Sequence, residues 1–226
     1  MKREMYTAIE QYMLQCMNDS AHDKDHVYRV LMGAMLIARE EAPEDMDVLI
    51  AACLLHDIGR PDQIADPSLC HAQVGAERAY AFLLKQGWEE PRADHVRQCI
   101  RSHRFRKSDP PRSLEARILY DADKLDVTGA IGVGRTLQYN GALGEPLYTT
   151  AADGRILEGS GDGEPDSFCR EYRFKLARVY DRFLTATGAR LAAERQAAAD
   201  AFYRAIMEEV AGMMDDGRQA LADALE

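Results

Sequence analysis

The sequence has few cysteines, and their arrangement fits none of the structural roles that cysteines usually serve. The five residues, Cys16, Cys53, Cys70, Cys99 and Cys169, are well separated, and no Cys-x-x-Cys pair occurs. An odd number of scattered cysteines argues against a disulfide framework and against a cysteine-based zinc site. We therefore expect free thiols in a reducing compartment, and we place the protein in the cytoplasm.

Long apolar segments and an excess of positive charge are also missing. No stretch approaches the roughly 20 apolar residues of a membrane helix, and the N-terminal MKREMYTAIEQYMLQ lacks the apolar core of a signal peptide. The formal charge is −10, from 28 basic and 38 acidic residues. This balance argues against nucleic-acid binding by a general basic surface. It is compatible with a small anionic substrate held by a metal and a few cations. The sequence leaves open whether the protein forms a homodimer.

Strand patterns are missing as well, and helical periodicity dominates the chain. The sequence therefore predicts an all-α fold in a single domain, residues 1–226, with one long irregular, glycine-rich loop over about residues 140–165. The predicted helices cover about residues 3–17, 25–41, 44–58, 71–86, 91–103, 113–123, 167–186 and 189–214, with loops at 60–69 and 104–111. Whether the helix from 113 continues to about 138 stays open.

A histidine and an aspartate end the most apolar segment of the chain, which runs from Val48 to Gly59 and reads VLIAACLLHDIG. A helix that is apolar on every side is a buried helix. Burying His56 and Asp57 there costs free energy unless a partner compensates them. A metal ion would compensate both groups at once, so the doublet predicts a metal centre.

Other segments carry residue types that could complete this centre. They supply His26 at the edge of a buried helix face, three carboxylates around Lys124 (Asp121, Asp123 and Asp126), and two histidines at helix ends (His71 and His103). Imidazole and carboxylate ligands suit manganese, iron, cobalt, nickel or zinc. Two imidazoles and two carboxylates would leave coordination positions for water and phosphate.

The order of these segments resembles the pattern of the HD superfamily of metal-dependent phosphohydrolases. The matching text is His26-x-x-Arg-Val, an apolar run into His56-Asp57-Ile-Gly, and Asp121-Ala-Asp-Lys-Leu-Asp. The chain is most similar to short bacterial single-domain members, in which Asp-Ala-Asp-x-Leu is followed by Gly-Ala-Ile-Gly, here residues 129–132. The resemblance implies an HD-type helical bundle with its metal-site core over about residues 20–140 and C-terminal helices over about 166–214.

The resemblance also implies a ligand set and an activity. His26, His56, Asp57 and Asp123 would bind a divalent metal, with manganese or iron favoured and cobalt, nickel, zinc or magnesium as alternatives. Asp123 is preferred to Asp121 because it stands in the Ala-Asp-x-Leu context of the family. The implied activity is hydrolysis of a phosphomonoester or pyrophosphate bond in small phosphorylated metabolites, with nucleotides as the favoured substrate class.

The roles of His71 and His103 stay open at this point. Histidines after the doublet bind a second metal in dinuclear members of the superfamily. The sequence favours the alternative, in which they hydrogen-bond the ligands or contact the substrate. Arg29 and Asp121 are further candidates for such contacts.

Asp57 and Lys124 are the candidates for direct roles in catalysis. Asp57 could orient or deprotonate the attacking water, a role for which Glu77 is disfavoured as an exposed helix acid. Lys124 could neutralise negative charge on the transferred group. Two other functions stay open: a non-catalytic metal-bearing domain that binds nucleotides or regulates a partner, and a cyclic-dinucleotide phosphodiesterase. The latter is disfavoured because Phe-Arg-Lys-Ser-Asp-Pro-Pro follows the His103 segment where Gly-Tyr-Pro is expected.

Overall fold

The computed structural model describes residues 1–17, 24–105, 109–159 and 161–225. Helices dominate this part of the chain, which confirms the predicted all-α class. None of the described helices is both long and apolar enough to cross a membrane. The helices are α1 (Arg3–Met17), α2 (Lys24–Glu41), α3 (Met46–Leu55), α4 (Arg60–Ala65), α5 (His71–Lys85), α6 (Glu90–Ser102), α7 (Leu114–Leu125), α8 (Gly129–Leu143), α9 (Phe168–Phe174) and α10 (Ala186–Leu225).

The chain divides into two compact units. The first combines Met1–Asp126 with Phe183–Ala189, and the second combines Val127–Arg182 with Arg190–Glu226. Every residue proposed above as a metal ligand belongs to the first unit. A single domain over the whole chain stays a prediction.

Helix α3 is the central helix of the first unit. It contacts α1, α2, α5, α6 and α7, and every residue from Ala51 to Leu55 is fully buried. Its N-terminus is capped by Asp45, whose carboxylate accepts hydrogen bonds from the amides of Asp47 and Val48 at 3.0 and 3.1 Å. The prediction of a buried helix leading to the doublet is confirmed.

Residues 60–69 were expected to form a loop, and this expectation is wrong for the first part. Gly59 caps α4, and Pro61 lies in its first turn. Proline is compatible with that position because the first amide groups of a helix have no partner within the helix. Gly59 also lies against α5, since a Cβ atom on it would be 2.3 Å from the carbonyl oxygen of His71 and 2.7 Å from the amide nitrogen of Gly75.

The helix predicted from about 113 through Asp123 does not continue unbroken to 138. Helix α7 ends at Leu125 and α8 begins at Gly129, whose φ of +59° is a conformation that favours glycine. Gly132 is also constrained, because a Cβ atom there would lie 2.4 Å from the carbonyl of Val127. These glycines therefore permit the turn between α7 and α8 and do not belong to one continuous helix.

The irregular segment predicted at about 140–165 begins after α8. It contains a short antiparallel hairpin, β1 (Thr149–Thr150) and β2 (Ile156–Leu157), so the expectation of no strands is wrong here. The helix predicted over 167–186 is likewise replaced by α9 and two 3₁₀ turns, Leu176–Arg178 and Tyr180–Arg182. In this second unit Phe168, Tyr172 and Leu176 pack in one apolar cluster with Tyr203 of α10, and this packing sets the path of the chain.

Candidate metal centre

Four histidines and two aspartates from five helical segments meet inside the first unit. The histidines are buried, with exposed fractions of 5% or less. Each stands at or near a helix end, where the fold of the first unit brings it to one place. The six residues are His26 on α2, His56 and Asp57 directly after α3, His71 at the start of α5, His103 directly after α6, and Asp123 on α7.

The four residues predicted as metal ligands lie together. His26 Nε2 is 3.3 Å from Asp123 Oδ1 and 3.4 Å from His56 Nε2. Asp57 Oδ2 lies 3.7 Å from His26 Nε2 and 3.6 Å from His56 Nε2. These distances between donor atoms are short enough for all four atoms to contact a single ion.

The other oxygen of Asp57 faces His71 and His103. Asp57 Oδ1 is 3.4 Å from His71 Nε2 and 3.7 Å from His103 Nε2, and these two nitrogens are 3.4 Å apart. Asp57 Oδ1 is buried and accepts no hydrogen bond within the described ranges of the chain. Asp57 thus presents one oxygen to each of two groups of ligand atoms.

Backbone carbonyl groups fix two of the imidazole rings. His56 Nδ1 is 2.8 Å from the carbonyl oxygen of Cys53, and His103 Nδ1 is 2.6 Å from that of Ile100. A carbonyl oxygen only accepts hydrogen bonds, so both Nδ1 atoms carry the hydrogen. The Nε2 atoms of the neutral rings then present lone pairs to the centre.

Side chains fix the other two rings. His71 Nδ1 donates to Gln63 Oε1 at 2.5 Å, and His26 Nδ1 donates to Asp126 Oδ2 at 2.7 Å. Asp126 is held in turn by Arg29, whose Nε is 2.6 Å from Oδ1 and whose Nη2 is 3.1 Å from Oδ2. Arg29, a sequence candidate for contact with ligands or substrate, therefore acts on the carboxylate that orients His26.

The roles of Asp126 and Gln63 were missed by the sequence reasoning. Asp126 follows Asp123 by three residues, which puts both on one side of a helix, and that spacing is a signal that could have found it. Gln63 carries no comparable signal, because its place beside His71 depends on α4, where a loop was expected.

The donor set fits divalent metal ions. Two Nε2 atoms lie 3.4 Å apart in each group, and Asp57 Oδ1, which accepts no hydrogen bond from a described residue, is buried 3.4 Å from His71 Nε2. Neither arrangement is favourable unless a cation or a proton lies between the donors. The two groups of candidate ligands are His26, His56 and Asp123, and Asp57, His71 and His103.

The electrostatics of the second group favour neutral histidines. Burial, together with the nearby Arg60, lowers the pKa of His71 to about 3. Burial and the neighbouring His56 lower the pKa of His103 to about 4. Both rings are therefore uncharged at neutral pH, which is the form that binds metal.

The first group contains the more basic histidine. Burial opposes protonation of His26, but hydrogen bonds to Asp123 and Asp126 outweigh it and raise the pKa of His26 to about 9. Burial likewise opposes ionisation of Asp57, yet His56 and Arg60 lower its pKa. The pKa of Asp123 is lowered by its hydrogen bond to His26, again against the effect of burial.

Asp121 lies outside the centre. Its Oδ1 accepts from the amide of Leu184 at 2.8 Å, and its Oδ2 accepts from the amide and the hydroxyl of Thr185 at 2.7 and 2.6 Å. Burial raises the pKa of Asp121, although these hydrogen bonds oppose the shift. Asp121 thus anchors the segment 183–189 to α7 within the first unit.

Three other charged side chains, Arg60, Lys124 and Glu77, differ in the groups that they contact. Arg60 Nε donates to Asp57 Oδ2 at 2.9 Å. Lys124 Nζ is 5.1 Å from the ring centre of Tyr120. The side chain of Glu77 is 60% exposed and pairs with Arg97 at 3.4 Å, so an exposed position for Glu77 agrees with the sequence-based expectation.

The segment that carries all six residues matches a known domain family. Residues 24–128 match the family model of the HD domain. The chain is 29% identical over 201 residues to the uncharacterized protein YpgQ of Bacillus subtilis (strain 168), covering 86% of this chain and 87% of that protein. The structure is similar to that of Bacillus subtilis YpgQ in complex with ADP, with a TM-score of 0.71, 27% identity, and 92% of this chain and 99% of that chain covered.

An HD-superfamily hydrolase from Bacillus thuringiensis has a similar structure. The TM-score is 0.70 with 25% identity, and the match covers 92% of this chain and 98% of that chain. The similarity extends over most of both proteins.

Proposed function

Since the chain belongs to the HD-domain superfamily, we propose that it is a metal-dependent phosphohydrolase acting on small phosphorylated metabolites, with nucleotides as the substrate class. The observation that carries this proposal is Asp57, whose two oxygens face two separate groups of ligand atoms. The nucleotide class is supported by the structure of the relative YpgQ in complex with ADP.

The proposed centre holds two divalent ions. The first would be held by His26, His56 and Asp123 with Asp57 Oδ2, and the second by His71 and His103 with Asp57 Oδ1. The distances favour ligation over the substrate contacts preferred from the sequence, because both histidines present Nε2 within 3.7 Å of Asp57 Oδ1. Manganese or iron is favoured, and cobalt, nickel, zinc or magnesium would also fit imidazole and carboxylate ligands.

When bound, the metal would lower the pKa of a water molecule and polarise a phosphoryl oxygen. The protein supplies the positions of the reacting groups. Asp57 would orient the attacking water as a ligand of both ions, by fixing where the metal that binds the water lies. Asp121 would take no part in this, because its oxygens accept hydrogen bonds from Leu184 and Thr185. Glu77 lies on the surface.

Cationic side chains would stabilise the negative charge that develops on the phosphoryl group. Arg60 uses its Nε to bind Asp57 and has four further N–H donors on the same guanidinium for a phosphate oxygen. Lys124, directly after the ligand Asp123, is the second candidate. Arg29 acts indirectly, since it holds Asp126 and through it His26.

The test is a substrate panel on metal-stripped protein resupplied with manganese, cobalt, magnesium or zinc in turn. Release of phosphate and pyrophosphate is measured from nucleoside mono-, di- and triphosphates and from simple phosphomonoesters. We expect turnover that disappears with chelator and in a folded Asp57→Ala variant, and that persists in the control Glu77→Gln. Metal binding without any turnover across the panel would instead favour a non-catalytic nucleotide-binding domain.

The metal count is tested separately by elemental analysis. We expect two equivalents in the natural protein and about one in His71→Ala, because the first group of ligands stays complete. Two equivalents of metal in His71→Ala would contradict the proposed second site and would leave the assignment of the first site unchanged.

A further inference from the structure

A surface cavity in the first unit lies where the end of α6 meets the start of α7. Its volume is about 240 Å³, and it is lined by Arg97, Arg101 and Arg112, with Asp109 as the single acid among its described lining residues. Three basic groups and one acidic group give this lining a formal charge of 3 − 1 = +2, whereas the whole chain carries −10. The six candidate ligands of the metal centre take no part in its lining.

The three arginines of the cavity differ in how far their guanidinium groups are already paired. Arg101 Nε is 3.3 Å from Asp109 Oδ2 at an exposed position. Arg97 is paired with acidic residues that do not line the cavity, and its Nε is buried without a hydrogen-bond partner in the described part of the chain. Arg112 is exposed, and no described residue gives it an ion pair or a hydrogen bond. Arginine donors with spare capacity favour planar and tetrahedral oxyanions.

The N-terminal end of α7 borders the same cavity. Ser113 caps this helix of 12 residues, and its Oγ accepts from the amide of Ala116 at 3.1 Å. Both Ser113 and Ala116 line the cavity. The partial positive charge at a helix N-terminus therefore adds to the charge of the three arginines.

We propose that this cavity binds a small oxyanion, inorganic phosphate or pyrophosphate, independently of the metal centre. Sites for drug-sized ligands usually measure about 300–1,000 Å³, so a volume of about 240 Å³ favours a small anion over a whole nucleotide. The inference does not rest on the proposed enzymatic function, because its residues are separate from the metal ligands.

The test uses metal-stripped protein with chelator present, so that no anion binds through a metal. Pyrophosphate, and in a second series phosphate, is titrated by calorimetry into the natural protein and four variants. We expect one equivalent of pyrophosphate to bind, with an affinity at least about tenfold weaker in Arg112→Gln and in Arg101→Gln, since each removes charge-assisted hydrogen bonds. Arg117→Gln, which removes an exposed arginine of α7 outside the cavity, is the matched control and keeps the affinity.

Arg60→Gln locates the anion if it binds elsewhere. Loss of affinity in Arg60→Gln with full affinity in Arg112→Gln would place the anion beside the metal centre and overturn the proposal. Absence of saturable binding of both anions to the metal-stripped natural protein would overturn it as well. Arg112→Gln is the decisive variant because its side chain is exposed and supports no described contact, so its fold is expected to be intact in a thermal melt.

Discussion

The four imidazole rings of the metal centre are each held through Nδ1, but their acceptors differ in charge. Two are backbone carbonyls, one is the amide of Gln63, and the fourth is the carboxylate of Asp126. A carboxylate that accepts from a ligand histidine raises the basicity of its other nitrogen and fixes the ring orientation. Among the candidate ligands, His26 therefore has the strongest support from its surroundings.

We expect Asp126→Asn to weaken metal binding about 10- to 100-fold, the usual effect of losing such a partner. The asparagine keeps the size of the side chain but removes the negative charge that both His26 and Arg29 contact. Competition with a chelator of known affinity measures the change, and Glu77→Gln is the control for loss of an acid outside the centre. Equal affinities in the two variants would contradict the role given to Asp126.

Metal affinity is expected to rise with pH up to about 9. Below that value His26 carries a proton on Nε2, and the ion must displace it, so affinity falls about tenfold for each pH unit below 9. Above 9 the dependence from this group ends. In the metal-free protein, the pH dependence of folding stability has the opposite sign. The stabilisation by protonated His26 is complete below its unfolded pKa of about 6.5 and is lost as pH rises through about 9.

Chelator competition at several pH values between 7 and 9.5 checks this prediction. In Asp126→Asn the pKa of His26 should fall, so the rise in affinity should end at a lower pH. An affinity that is independent of pH in the natural protein would contradict the raised pKa of His26.

At the residue scale, the sequence predicted which side chains meet better than it predicted their hydrogen-bond partners. His26, His56, Asp57 and Asp123 stand in short patterns whose order resembles the HD superfamily, and the structure places these four side chains together. The hydrogen bond between His26 and Asp126 joins residues 100 positions apart. Whether His71 and His103 face Asp57 also depends on how α5 and α6 pack, which local patterns do not specify.

Helix packing at Gly59 sets the distance between the doublet and α5. A side chain at this position would meet the backbone of His71 and Gly75 at 2.3 and 2.7 Å, and backbone atoms cannot rotate away. Gly59 is thus required for close approach, a role in addition to the helix end that the sequence indicated.

We expect Gly59→Ala to lower the free energy of unfolding by about 1–3 kcal/mol, the usual cost of overpacking. To make room for the added methyl group, α5 would have to move, which should take His71 away from Asp57 and reduce the metal content towards one equivalent. Denaturant unfolding and elemental analysis measure the two effects. Gly134→Ala adds the same methyl group inside α8 with no neighbour within 4 Å, and there we expect a gain of up to about 1 kcal/mol.

If Gly59→Ala were as stable as Gly134→Ala and kept its full metal content, the close packing of α5 against the doublet would contribute neither to folding stability nor to metal binding. This comparison separates the effect of the methyl group from its location.

At the element scale, helices with strong apolar periodicity were predicted closely, and chain reversals were not. Helices α1, α2, α5 and α6 agree with the prediction within about two residues. The break between α7 and α8 was missed because Gly129 and Gly132 were treated as glycines within a helix. Their φ value and backbone contacts show a turn, which depends on three-dimensional packing and not on periodicity.

At the scale of the whole molecule, metal binding should control thermal stability. Four histidines and two carboxylates are grouped in the first unit, and any ion that binds only the folded state stabilises it. At a free metal concentration of 100 times the dissociation constant, we expect about 2.7 kcal/mol of added stability. Scanning calorimetry with manganese and then with excess chelator measures the difference.

The Asp57→Ala variant is the control for that measurement, because it removes the carboxylate shared by both groups. Its melting temperature should respond to manganese far less than that of the natural protein. A similar shift in both proteins would indicate that manganese acts at another place.

The contact of Asp121 with residues 184 and 185 has a consequence for synthesis on the ribosome. Residues 1–126 emerge first, but the amides that bind this buried carboxylate belong to residues 183–189, which follow the whole of 127–182. At a translation rate of about 5–20 residues per second, the delay is roughly 3 to 11 seconds. During that time the nascent chain contains the six candidate ligands of the metal centre, but it lacks the segment whose amides bind Asp121.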